Sequence, residues 1–179
     1  DTAEAVDRIW DRRRHIDAVV MVGTYRPCSR FIHELNQRGA DFKFANVSFV
    51  GSRSLAEELH ELEAGSAENI LVTQVVPDPM SQATGVREYR EVLAEYESQE
   101  RPGFVSLEGY IIARLVGRAL AGSAEVEAEA LINAFEAIHD WDMGIGTVLN
   151  FGPSDHQGSD KVWGTRLKAD GEFEMVAEL

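Results

Sequence analysis

The sequence predicts an α/β fold built on a parallel sheet, and three observations carry that prediction. Short apolar runs alternate with segments of helical periodicity through residues 1–76. Those runs lack the polar alternation of a half-exposed strand, as strands covered on both faces do. The connections between them are short, so right-handed crossovers lay the strands side by side in one direction.

The elements follow in chain order. Ala3 to Arg13 places Val6, Ile9 and Trp10 on one helical face. Asp17–Gly23, DAVVMVG, then reads as a strand covered on both sides. Cys28, Phe31, Ile32 and Leu35 recur at helical spacing, and Gly39 stands where that helix stops. A second buried run spans Phe42–Val50, a helix with Leu55, Leu59 and Leu62 follows, and Ile70–Val76 makes a third strand. Pro77–Gly85 carries two prolines and a glycine directly after that strand, which marks a hinge or boundary. Beyond it come three helices with no strand between them, marked by Val86, Tyr89, Leu93 and Tyr96, by Leu107, Ile111 and Leu115, and by Leu131, Ala134, Phe135 and Ile138. Their apolar faces need a sheet or partner that this stretch does not supply. The tail from Gly144 to Leu179 is β-like, with Lys161–Leu167 and Glu172–Val176 joined across the turn signal Asp170-Gly171.

Composition narrows the function. A chain of 179 residues with 44% apolar content can bury one sizeable core or two small ones. Its 31 acidic and 17 basic residues give a net charge of -14, a field that repels phosphate backbones and anionic lipid, so no nucleic-acid partner is expected. No apolar run approaches the ~20 residues that span a bilayer. The chain opens at Asp1 without a methionine or signal-like segment, and reads as a mature or excised piece of something longer.

Several residues invite chemistry. Cys28 stands at a predicted helix start, where a thiol is activated, yet it shares a face with Phe31, Ile32 and Leu35 and so reads as a buried small residue. A small hydrolase or transferase using Cys28 is the enzymatic alternative. Asp155–Asp160 gathers two carboxylates and His156, but it lacks the alternating oxygen ligands and closing glutamate of a calcium loop, so a self-capped turn is expected and no metal. His139–Asp142 is expected as a solvated connection. Gly144-Ile145-Gly146 lacks the third glycine of a dinucleotide loop, and no phosphate-cradling loop occurs, so no cofactor is expected. What remains are the carboxyl ends of the parallel strands, where open α/β sheets bind small molecules. Two of them end in Gly23-Thr24-Tyr25-Arg26 and Asn46-Val47-Ser48-Phe49, hydroxyls beside flat aromatics, which suit a small polar ligand.

The order DAVVMVGTYRPCSRFI, FKFANVSFVGSRSLAEEL, ENILVTQVVPDP, GFVSLEGYIIARLVGRAL and FGPSDHQGSDKVWGTRL resembles the carboxyl-terminal half of type I periplasmic binding proteins of the leucine/isoleucine/valine-binding kind. The resemblance implies a three-layer parallel-sheet lobe with part of a second lobe, and a receptor, not an enzyme, that closes on its ligand by hinge motion. It implies residues 1–76 in the carboxyl-terminal lobe, 77–143 as helices of the amino-terminal lobe, and 144–179 as the return. Thr24 and Tyr25 would be one ligand contact and Ser48, with Phe49, the other; Gln74, Val76 and Pro77 would lie at the hinge. The leucine-binding relatives carry a glutamate where Ser48 stands, so an aromatic acid, short carboxylate or amide competes with an ordinary amino acid, and Arg26 offers a carboxylate partner. The implied partners are an ABC permease or a sensor protein, with the alternative of a ligand-sensing ectodomain of a membrane signalling protein. The implied location is periplasmic or extracellular. With half the fold absent, the fragment is expected to self-associate.

Overall fold

The structure, a computed structural model, describes residues 2–65 and 69–176. The chain divides into two compact units, Asp1–Gln74 with Trp163–Leu179, and Val75–Val162.

The first unit begins with α1 (Thr2–Asp11), whose Val6 is buried. There follow β1 (Ala18–Met21), α2 (Tyr25–Gln37), β2 (Lys43–Val47), α3 (Ser52–Glu61) and β3 (Ile70–Gln74). The unit closes with β6 (Trp163–Leu167) and β7 (Phe173–Val176). The sheet order is β1-β2-β3-β6-β7, parallel through β3 and antiparallel beyond it. The α/β class and its parallel strands are as the sequence predicts. The expected hairpin is also present: Gly171, at φ +83°, makes the turn, and Glu172 N–H donates to Asp170 Oδ1 at 3.0 Å.

Inward residues alternate along the strands. Phe44, Ile70, Val72 and Leu167 join Val6 of α1, Ile32 and Leu35 of α2, and Leu55 and Leu59 of α3 in one core cluster. All three helices therefore pack on the same face, which for α2 and α3 is what right-handed crossovers in a monotonic strand order require. Of the three expected layers, the described residues of this unit supply two. The expectation that β1 is covered on both sides fails for that reason: β1 is an edge strand, and Val20 on its far side is 75% exposed.

The second unit holds α4 (Thr84–Tyr96), α5 (Phe104–Gly122), α6 (Ala128–Glu136), β4 (Trp141–Asp142) and β5 (Val148–Leu149). Its core joins Val76, Val86, Tyr89, Leu107, Ile111, Met143, Ile145 and Leu149. Tyr89 is anchored by its hydroxyl, 2.6 Å from Ser106 Oγ, and Gly103 N–H donates to it at 3.0 Å. Gly85 packs against the backbone of Met143 and Gly144, and its N–H donates to Gly144 O at 2.9 Å, an approach that leaves no room for a Cβ.

The second unit departs from the sequence expectations at two places. The stretch His139–Asp142 is not merely a solvated connection, because Trp141 and Asp142 pair with Leu149 and Val148. The return to the first unit begins at Trp163 and not at 144: Ile145, Leu149 and Phe151 pack into the second core, and Phe151 meets Phe135 at 6.0 Å between ring centroids. The tail's last three residues lie outside the described ones. Among the described residues no helix is long and apolar enough to cross a membrane.

Candidate functional site

In the first unit β1 and β2 are adjacent parallel strands, with Met21 opposite Asn46, so their carboxyl ends open on the same rim. The chain leaves β1 through Gly23 and Thr24 directly into α2, and leaves β2 through a single 3-10 turn, Ser48–Val50, into α3. The structure thus puts the two sequence-predicted pairs, Thr24 with Tyr25 and Ser48 with Phe49, on neighbouring strand ends.

Thr24 is the residue before α2; its backbone is extended and its side chain makes no capping bond. It is exposed, so its hydroxyl is open to solvent. Tyr25 opens the helix half-buried against the core, which orients its ring. Pro27 sits in the first turn, where a missing N–H costs nothing. Phe49 is 69% exposed, an unusual place for a phenylalanine, whereas the next residue, Val50, is 2% exposed and holds the turn in the core. Gly51 at φ +76° makes the sharp entry to α3 that a side chain would strain, and its N–H donates to Ser48 O at 3.1 Å.

Arg26 is not an uncommitted cation. Its Nε lies 3.9 Å from Glu58 Oε2, and its guanidinium stands 5.7 Å from the Tyr25 ring centroid. The pair is exposed on the arginine side and contributes little stability, but it sets Arg26 beside the aromatic ring.

Cys28 is buried, and burial pushes its thiol above the ordinary value. A Cβ added at Gly23 would meet Cys28 Sγ at 3.2 Å, so this sulfur fills the space against the end of β1. That environment opposes the thiolate a nucleophile needs. In the second unit, the Asp155–Asp160 segment caps itself. Gln157 N–H donates to Asp155 Oδ1 at 2.9 Å, Gln157 Nε2 donates to Asp160 Oδ1 at 2.7 Å, and His156 Nε2 lies 2.9 Å from Glu136 Oε1.

Two polar groups beneath the rim, which the sequence places only at a strand end and at the hinge, are buried. Asn46 is 1% exposed, and both polar atoms of its side chain lack a hydrogen-bond partner. Gln74, also 1% exposed, donates through Nε2 to Ser52 Oγ at 2.7 Å and to Thr165 Oγ1 at 3.2 Å. For their burial and partners, a polar residue at an inward strand position was the only signal in the sequence.

The family model described as periplasmic binding protein matches residues 5–172. A search of curated proteins returned no match. Among solved structures, a possible leucine/isoleucine/valine-binding protein from Rhodopirellula baltica is 39% identical, with a TM-score of 0.82 over 90% of this chain and 42% of its own. A fatty acid ABC transporter substrate-binding protein from Thermomonospora curvata shares the fold at 17% identity, TM-score 0.81, over 98% of this chain and 46% of its own. A branched chain amino acid ABC transporter protein from Thermus thermophilus with bound valine shares it at 17% identity, TM-score 0.73, over 99% and 49%. The chain thus spans less than half the length of each of these three. With the family model matching most of its length and the fold shared throughout, the chain belongs to the periplasmic binding proteins, as a fragment of the type I kind that includes the leucine/isoleucine/valine-binding proteins.

Proposed function

We propose that this chain is the ligand-binding part of an extracytoplasmic solute receptor that closes on a small amino acid or organic acid and hands it to an ABC permease. The observation that carries the reading is the shared rim at the ends of β1 and β2, where Thr24, Tyr25, Ser48 and Phe49 offer hydroxyls beside aromatic surface. Such a rim supplies hydrogen bonds and apolar cover together. The first unit is then the carboxyl-terminal lobe and the second a portion of the amino-terminal lobe. The chain crosses between them at Val75 and at Val162, with Val76 and Pro77 flanking the first crossing. A periplasmic location and a binding rather than catalytic role accord with the family.

Ligand class turns on Ser48. A serine has no charge to pair with an ammonium, so carboxylates and amides are favoured over free α-amino acids. Thermal-shift screening of the full-length protein against amino acids, aromatic acids and short carboxylates tests this, because a ligand specific to the native state raises the melting temperature. An aromatic or short carboxylate is expected to give the largest rise, and Ser48→Ala or Tyr25→Ala to reduce it. Identical melting with every compound would overturn the reading.

The 179-residue chain by itself is expected to self-associate. Val20 in the edge strand β1 and Val22 just beyond it, 75% and 79% exposed, leave apolar surface uncovered on the first unit, and Val105, Ile112 and Val116 are exposed on α5. Sedimentation velocity giving a single monomeric species at micromolar concentration would defeat this.

A further inference from the structure

The Gln74 side chain lies where three segments of the first unit meet. It ends β3, its register partner Trp163 begins β6, and the chain passes to and from the second unit immediately beyond these two residues. Both hydrogens of its amide nitrogen have acceptors, Ser52 Oγ at 2.7 Å and Thr165 Oγ1 at 3.2 Å. Thr165 Oγ1 in turn donates to Val72 O at 2.8 Å, so that hydroxyl has committed its proton and can only accept from Gln74. The chain of donors therefore runs one way and fixes the amide. Ser52 is the first residue of α3, directly after the Ser48–Val50 turn and Gly51. Ser52, Gln74 and Thr165 are all buried, so the bonds do not compete with bulk water.

We propose that Gln74 is a positioning residue: it ties the Ser48–Val50 turn, through Ser52, to both strands by which the chain leaves and re-enters the first unit. Gln74 is then a fixed post and not a bending residue. Bending falls to Val75, 48% exposed between the buried Gln74 and Val76, and to Val162, 56% exposed. On the receptor reading, on which this consequence rests, a ligand pressing on Ser48 or Phe49 bears on both crossings at once.

Hydrogen exchange on the ligand-free chain tests the tie without needing a ligand, so a blank ligand screen does not decide it. Gln74→Met keeps the volume and removes both donors. It is expected to speed amide exchange about tenfold, as loss of buried hydrogen bonds does, in two separate segments, residues 50–55 and 163–167. Ser52→Ala should move only the first segment and Thr165→Val only the second, and each leaves the other arm intact should Gln74→Met not fold. Ile70→Val, a core truncation with no polar loss, serves as the control. If Gln74→Met speeds exchange in β3 alone, or evenly through the unit as Ile70→Val does, or if each arm variant moves both segments, the tie is refuted.

Discussion

The two units solve the same burial problem differently. The first sets three helices on a five-stranded sheet and collects its buried residues into one continuous cluster. The second relies on three helices and a two-stranded ladder; its α5 buries Leu107 and Ile111 on one side and leaves Val105, Ile112, Val116 and Leu120 exposed on another. A sheet gives each inward residue neighbours on both adjacent strands, whereas a helix that is apolar all round needs a second surface. The difference teaches that the first unit's weak side is a sheet face and edge, and the second's is a helix face.

Substitutions can break that contrast or sharpen it, and Trp10 and Trp163 in the first unit and Trp141 in the second serve as separate fluorescence reporters. The largest effect is expected from Leu55→Ala, fully buried between α3 and the sheet, at about 3 kcal/mol lost in urea unfolding of the first unit. In the second unit Gly85→Ala forces a Cβ into the Met143 carbonyl and should cost about 2 kcal/mol, seen in the Trp141 signal alone. Movement of both signals together would show that the units unfold as one body and erase the contrast.

Asn46→Leu should act in the other direction. Replacing an amide with two unpartnered buried atoms by an apolar side chain of similar size is expected to stabilise the first unit by about 1 kcal/mol. A loss of stability instead would mean that the amide is hydrogen-bonded in solution.

Smaller again is an alkaline effect at Cys28. Burial raises its thiol above the ordinary 9.0, so above that value the unfolded chain loses a proton that the folded chain keeps. Stability should therefore be flat below this range, fall as pH rises through it, and fall less in Cys28→Ala. A thiol reagent should modify Cys28 only after denaturation. Least of all should come from Ile112→Ser, on the exposed face of α5, with a change within about 0.5 kcal/mol when unfolding is followed at a concentration too low for self-association. A large loss there would show that the face is already covered.

What the sequence disclosed follows the range of each interaction. The first three strands and the helices were legible, because apolar period and stop signals such as Gly39 are written within a dozen neighbours. Strands β4 and β5, two residues each, are too short to show any period, so Trp141 passed for a connection. The exposure of Val20 was illegible because an apolar run looks the same whether or not a second layer covers it. Of the candidate site, Thr24, Tyr25, Ser48 and Phe49 could be named from strand ends and family resemblance. The partners of Gln74 stand 22 and 91 positions away in the chain, and no local pattern announces them.

The strand order has a consequence for how the molecule is made. β3 lies between β2, which precedes it closely, and β6, which arrives only after the whole of Val75–Val162 has been synthesised. On the ribosome the strands up to β3 must wait with one side of β3 unpaired, while the inserted helices, whose contacts are local, can fold before β6 arrives. The first unit's opening part is made before Val75–Val162 and completed only after it, and a stalled or truncated chain ending before Trp163 would expose the edge of β3 to aggregation.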